Sequence, residues 1–392
     1  MMMNTLSKIK KLIIEKRLYK TIKKKLYPYF KGLLLFIFFR KNNFEILIPA
    51  DSIVDKNDLP IAERIFDSYK KMKKDQLNVS QKYKPSSLWQ NHIDNDFSFL
   101  KKSYENEDLE KFLFFLQNFG NWDKYLGIEN QTLIKKYNKN IFLKKFLSNE
   151  IFNGQMQLWK YFNKETSKIA QLNMPRFGNQ NGALIDNNFV VLGSFFNEIY
   201  SKIINKYLDK NNHNVIADLG GGYGKLAYYC LKDLKKYTFI DFDIPETLIL
   251  ASYFLTKSFP NKKVFYYGEQ KLEDINIKDY DLIFMPSWEI EKIKNDSVEF
   301  MINRNSLGEI EPESADNYIN QIHRISKYFF SSNHEYFRNK FDNNKSSLLN
   351  SEYNKNNKFK ELIRYPDIGH LTYENNKIDL ESDIFFYIFK KN

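Results

Sequence analysis

The chain has 392 residues, a formal net charge of +12 and one cysteine, Cys230, which excludes a disulfide framework and leaves length for two or three domains. Twelve Lys or Arg and one acid, Glu15, fall within residues 1–43, so the remaining body is close to neutral. Lysine outnumbers arginine 52 to 8, and a near-neutral body poor in arginine disfavours a nucleic-acid groove.

The basic residues form an arm from Lys8 to Arg40-Lys41 that includes the apolar run Leu33–Phe39. Seven apolar residues are too few to span a bilayer, and no small-residue cleavage site follows them. The arm suits an anionic membrane surface, with Leu33–Phe39 as an interfacial anchor. The other reading is a solvated extension whose apolar run docks on the body. The expected location is cytoplasmic, peripheral at the inner membrane face if the arm engages lipid.

Residues 44–190 carry helical patterns with few strand signals. Pro60 precedes Ile61, Ile65 and Tyr69, and Glu107–Phe119 places Leu109, Phe112, Leu113 and Leu116 on one face. Tyr137–Phe162 predicts a long helix that breaks at Asn153-Gly154. Trp89, Trp122 and Trp159 are expected as core anchors. The polar loop Pro175–Gly182 is either a surface turn or ligand-facing.

From residue 191 onward the pattern alternates between strand and helix. The helix Ser194–Leu208 leads into Val215-Ile216-Ala217-Asp218-Leu219, then the turn Gly220-Gly221-Gly222-Tyr223-Gly224, then a helix from Lys225. A strand, a glycine turn and a helix make the first unit of a nucleotide-binding sheet. Lys225 stands where G-x-G-x-x-G needs its third glycine, which disfavours a dinucleotide-binding dehydrogenase. Asp218, two residues before the first glycine, suits the α-amino group of S-adenosylmethionine. Tyr237–Ile240 predicts the second strand and leads to Asp243, a carboxylate able to accept from both hydroxyls of a ribose; a helix cap is the structural alternative. Further strands are expected at Val264–Tyr267, Asp281–Met285, Val298–Ile302 and Tyr328–Ser331, with a helix at Ala315–Ile325 and a closing strand in Asp383–Lys390. The expected fold is α/β: a doubly wound, mostly parallel, Rossmann-like sheet over 191–392, preceded by a mainly helical region, 44–190, and the arm, 1–43.

Three segments together, Asp218–Gly224, Asp243-Ile244-Pro245-Glu246 and Asn303-Arg304-Asn305-Ser306-Leu307-Gly308-Glu309, resemble the bacterial sugar O-methyltransferase family of class I S-adenosylmethionine-dependent methyltransferases. The likeness covers about residues 175–340. It implies S-adenosylmethionine as methyl donor and a sugar hydroxyl as acceptor, in the synthesis of surface glycans such as capsule or lipopolysaccharide. Carried over, Asp218, Gly220, Gly222 and Gly224 hold the methionine end and Asp243 the ribose. The adenine partner is Glu269 or Gln270 if Val264–Tyr267 is the third strand, and Ser287 and Trp288 if Asp281–Met285 is. The second assignment places Asn303–Glu309 over the pocket. Asn303, Asn305 and Ser306 are the expected sugar contacts.

Methyl transfer to a hydroxyl needs a group to take the proton, and ligands of open α/β sheets lie beyond the carboxyl ends of the strands. Glu309 and His334 are the candidates, with His370 more distant and His92, His213 and His323 structural. No cluster has metal-ligand spacing, although the oxygens around 303–311 suit the hard divalent cation that some sugar methyltransferases use. The rival readings are an RNA or other small-molecule methyltransferase and a non-catalytic, membrane-associated binding protein of the same fold. No feature sets the oligomeric state.

Overall fold

The computed structural model describes residues 44–392 except 51, 123, 125, 129–140, 165, 343, 355–356 and 375–376. The basic arm, with Leu33–Phe39, lies outside the described residues. In chain order the strands are β1 (Phe44–Leu47), β2 (Gly182–Ile185), β3 (Asn188–Val191), β4 (Asn214–Leu219), β5 (Tyr237–Asp243), β6 (Val264–Tyr266), β7 (Leu282–Pro286), β8 (Val298–Arg304), β9 (Ser326–His334), β10 (Phe359–Pro366), β11 (Thr372–Glu374), β12 (Lys377–Asp379) and β13 (Ile384–Lys391). The helices are α1 (Leu59–Gln76), α2 (Ser87–Asn95), α3 (Ser98–Glu105), α4 (Leu109–Asn118), α5 (Ile141–Asn163), α6 (Ser194–Asn205), α7 (Lys225–Leu231), α8 (Pro245–Ser258) and α9 (Pro312–Ile325).

The main sheet has eight strands in the order β10-β13-β9-β8-β4-β5-β7-β6. Its strands are parallel from β6 to β9, and β13 runs antiparallel between β9 and β10. Strands β4 and β5 are buried along their whole length, as strands covered on both faces must be. The chain steps from β4 to β5 in one direction and later from β8 to β9 in the other. Right-handed crossovers therefore put α7 and α8 on one face and α9 on the opposite face. The doubly wound Rossmann-like expectation holds. β7 is the neighbour of β5 and β8 the neighbour of β4, so Asp281–Met285 is the third strand, with β6 added outside it.

Three local expectations change. Helix α5 runs through Asn153-Gly154 without a break: a mid-helix glycine costs only about 1 kcal/mol relative to alanine, which packing at Phe152, Leu158 and Trp159 offsets. Residues 44–190 contribute to a three-stranded antiparallel sheet, β1-β2-β3. Its β2–β3 hairpin turns at Asp186-Asn187, both at positive φ (48° and 62°), the conformation a two-residue turn demands and Asp and Asn tolerate. The loop Pro175–Gly182 is structural. Asn179 is buried, exchanges hydrogen bonds with the Ala50 backbone and donates to Asn118.

One hydrophobic core runs through both regions. Phe119 meets Tyr223 of the glycine turn at 5.3 Å, and Tyr223 meets Phe254 of α8 edge-on at 5.1 Å. Buried ion pairs fasten α1 to α8: Lys257 holds Asp58, which also accepts from Tyr253 Oη at 2.6 Å, and Lys73 reaches Glu246 at 2.7 Å. The helical region thereby covers the carboxyl ends of the sheet strands.

Candidate functional site

The strands β4, β5, β7 and β8 end at Leu219, Asp243, Pro286 and Arg304. The order reverses between β4 and β8, which opens a crevice at their carboxyl ends. A cavity of about 500 Å³ fills it, floored by Asp218–Gly222, Asp243 and Ser287 and roofed by residues 83–92 and Leu126-Gly127 of the helical region. That volume suits a nucleoside-sized ligand with room for part of an acceptor.

The glycine turn is shaped by close approach. Gly220 has φ +80°, and a Cβ there would stand 2.5 Å from Ser306 Oγ; Gly222 has φ +62°, and its Cβ would stand 2.7 Å from the Gly127 carbonyl. The turn is thus wedged between the turn after β8 and a loop of the helical region, with Tyr223 N donating to Gly127 O at 2.9 Å. Gly224 lies outside the cavity wall, in left-handed conformation as the N-cap of α7.

Two acids of the sheet, Asp218 and Asp243, line the floor, and Asp241 is buried beside them. Asp218 and Asp241 are register partners on adjacent parallel strands, so their side chains leave the same face. Asp243 follows one pleat later. Its carboxylate accepts from Ile244 N at 2.7 Å and Gly222 N at 3.2 Å, so it ties the residue before α8 to the glycine turn while lining the cavity. Asp218 Oδ1 and both oxygens of Asp241 are buried, with no side-chain donor to them and only the backbone at Leu219 and Gly221 favouring their ionised forms. Burial, reinforced by mutual repulsion, holds all three carboxyls above the usual carboxylate range. The charge of Arg304 works against this rise at Asp218.

The opposite wall is built on Glu309. Its backbone carbonyl accepts from Ser86 Oγ at 2.8 Å, and its carboxylate accepts from Trp89 Nε1 at 3.0 Å. Burial raises the Glu309 carboxyl to about 7, against the Trp89 hydrogen bond that lowers it and with a smaller push from Asp243. Trp89 is therefore a wall of the site and not only a core anchor. His92, on the same helix, also lines the cavity and shares a 2.7 Å hydrogen bond between Nδ1 and Asp96.

Of the expected sugar contacts, Asn305 and Ser306 line the cavity and Asn303 does not. Asn303 is fully buried, donates to Leu219 O at 2.7 Å and to Ser306 Oγ, and accepts from Asn333 Nδ2 at 2.9 Å. It fixes the β8 turn against β4. Ser287 borders the cavity, whereas Trp288 packs edge-on against Tyr267 at 6.2 Å outside it. His334 lies outside as well, paired through Nδ1 with Asp383, while His370, Arg304, Tyr318 and Asn339 are on the wall. Sequence spacing missed Trp89, His92, Tyr318 and Asn339 because no local motif marks them; Ser86, a helix N-cap three residues before Trp89, is the nearest sequence signal. Among the described residues no group of three or more His, Cys, Asp or Glu is arranged to hold a metal ion, and no helix is long and apolar enough to cross a membrane.

No family model and no curated protein matches the chain. Among solved structures, half of the chain (50%) overlays 57% of the mitomycin 7-O-methyltransferase MmcR at 10% identity and a TM-score of 0.33. The CurJ carbon methyltransferase matches 51% of the chain over 55% of its own at 13% identity and a TM-score of 0.35. Magnesium protoporphyrin IX methyltransferase from Synechocystis PCC 6803, with S-adenosylmethionine bound, matches 51% of the chain over 81% of its own at 10% identity and a TM-score of 0.32. The chain spans little more than half the length of the first two.

Proposed function

We propose that the protein is an S-adenosylmethionine-dependent O-methyltransferase acting on a sugar hydroxyl in surface-glycan synthesis. The observation that carries the donor is Asp218 on the cavity wall beneath a glycine turn, with Asp241 buried beside it and Asp243 one pleat further along the cavity. A buried carboxylate cluster fits the α-ammonium of the donor, and Asp243 at the end of the second strand fits its ribose. Gly220 and Gly222 let the turn pack closely against Ser306 and Gly127, and Ser287 stands after the third strand for the adenine.

Bound S-adenosylmethionine supplies a methyl group activated by a sulfonium. The chain's own residues then have three tasks. The roof of α2 and Gly127 excludes water, which strengthens every polar contact beneath it. Asn305, Ser306 and Asn339 offer hydrogen bonds to a polyhydroxylated acceptor, and Trp89 adds an aromatic face. Glu309 takes the acceptor's hydroxyl proton on its carboxylate, whose pKa near neutrality suits a general base. His334 stays paired with Asp383 beyond the wall, which leaves Glu309 the better placed of the two expected bases.

The direct test is methyl-labelled S-adenosylmethionine offered with a panel of nucleoside-diphosphate sugars and lipid-linked glycans. The reading expects S-adenosylhomocysteine release and one added methyl on a sugar. Transfer to RNA alone would replace the acceptor half of the proposal.

A further inference from the structure

The segment that leaves β9 holds two large rings out in solvent beside the cavity. Tyr336 is 67% exposed and Phe337 55% exposed. Their backbone is fixed all the same. Glu335 N donates to Asp383 O at 2.7 Å, and Tyr336 N and Phe337 N both donate to Asp383 Oδ1 at 2.9 Å. Asp383 Oδ2 hydrogen-bonds His334 Nδ1, and the Phe337 ring stands edge-on to that imidazole at 5.3 Å. Tyr336 meets Phe385 of β13 edge-on at 5.9 Å. Rings left this far in water contribute little to the fold, because hydrophobic stabilisation scales with the area removed from water.

This aromatic ledge is continuous with the cavity. Asn339, two residues after Phe337, lines the cavity and donates from Nδ2 to Gly308 O at 2.8 Å. A Cβ on Gly308 would lie 3.7 Å from His334 Cδ2, so the imidazole packs on the residue that precedes Glu309. Contacts thus run without a gap from Phe337 through His334 and Gly308 to Glu309. Charged groups border the rings: the side chains of His334, Asp383 and Arg338 are 30%, 35% and 37% exposed. A lipid tail or an apolar protein face would strip water from those groups at a cost. A pyranose sets its C–H face on a ring and turns its hydroxyls to such a rim.

We propose that Phe337 and Tyr336 form a subsite for sugar units next to the one being methylated, so that the acceptor is an oligosaccharide or longer glycan and not a single sugar on a nucleotide. This rests on the sugar-acceptor reading above. The reacting unit lies beside Glu309 under Trp89, and the chain of sugars leaves the cavity past Asn339 onto the ledge. Because every pyranose has an apolar face, the ledge is tolerant of sugar identity and selects for length.

The test is titration of the full-length protein, with S-adenosylhomocysteine present, followed by saturation-transfer NMR. The probes are three pairs: glucose and maltotriose, N-acetylglucosamine and chitotriose, mannose and mannotriose. In at least one pair the trisaccharide is expected to bind about tenfold or more tightly than its monosaccharide. Y336A/F337A removes only exposed rings; it should bring the two within about threefold and leave S-adenosylhomocysteine affinity within about twofold. If that variant does not fold, the wild-type comparison decides by itself. Equal affinity for both members of every pair overturns the ledge and leaves the sugar reading standing. Unchanged trisaccharide affinity in folded Y336A/F337A also overturns it. No affinity for any of the six sugars, in protein that binds S-adenosylhomocysteine, removes the sugar reading as well. Binding to phosphatidylglycerol vesicles that this variant abolishes, with no preference for trisaccharides, overturns the proposal and gives the rings to a lipid surface.

Discussion

The indole of Trp89 donates to the carboxylate of Glu309 at 3.0 Å, tying helix α2 of the helical region to the turn after β8. The contact closes the cavity and tunes the group proposed to take a proton. Burial raises the Glu309 carboxyl to about 7, and the Trp89 hydrogen bond works against that rise. We therefore predict an acidic limb near pH 7 in kcat/KM. W89F removes the donor and should move the limb to higher pH, while E309Q should abolish it with a loss of about 10²- to 10⁴-fold. A pH profile of S-adenosylhomocysteine release checks both.

Proton release should accompany donor binding. Asp218, Asp241 and Asp243 retain protons above the usual range because they are buried and repel one another. Arg304, Lys225, Glu246 and Glu309 are the other charged groups around them. A bound cation stabilises the ionised form and expels a proton, so affinity should rise with pH across the neutral range. Calorimetry in buffers of different ionisation enthalpy reads the protons directly. D241N should reduce the release and raise the melting temperature of the ligand-free protein, because it removes an uncompensated buried acid.

Gly220→Ala should damage both fold and binding. The new methyl would stand 2.5 Å from Ser306 Oγ at a φ of +80°, which L side chains rarely adopt. The expected cost is about 1–3 kcal/mol in chemical denaturation, with weakened S-adenosylhomocysteine binding. The double variant G220A/S306G should recover part of the loss; no recovery would mean that backbone strain dominates.

Asp58 joins the two regions. Burial raises its pKa, but hydrogen bonds from Lys257, Tyr253 and Gln117 outweigh it, and the net shift is downward. With the folded pKa below the unfolded value of about 3.9, its contribution is full above that pH and is lost as pH falls through the folded pKa. D58N should cost about 3–5 kcal/mol at neutral pH, since Lys257 is left without its buried partner. Denaturant midpoints of D58N and wild type should converge as pH falls through the folded pKa of Asp58.

The sheet was legible in the sequence because each parallel strand is buried on both faces and reads as a continuous apolar run. Val215–Leu219 and Tyr237–Phe242 are cases, and the glycine turn and Asp243 follow directly from them. The strand β10 was not, because three successive exposed residues, Lys360, Glu361 and Leu362, break the alternation that marks a strand. The helix through Gly154 was hidden by propensity, and β1 by having only four residues and a partner, β2, far along the chain. The cavity's floor could be read locally, whereas its roof could not. Trp89 reaches Glu309 across 220 positions, and no spacing rule carries that contact. His334 and Asn303 misled for the same reason: both follow or end strands at the right edge, but Asp383 engages one and Leu219 and Asn333 the other.

Binding of S-adenosylmethionine by the glycine turn and its acids is checked by titrating the folded, full-length protein with S-adenosylhomocysteine, with NAD as control. Saturable binding is expected with a Kd below about 1 mM, weakened at least about tenfold by D243A as two ribose hydrogen bonds are lost, and no heat with NAD. A folded protein that gives no response to S-adenosylhomocysteine, or that binds NAD in its place, would contradict it.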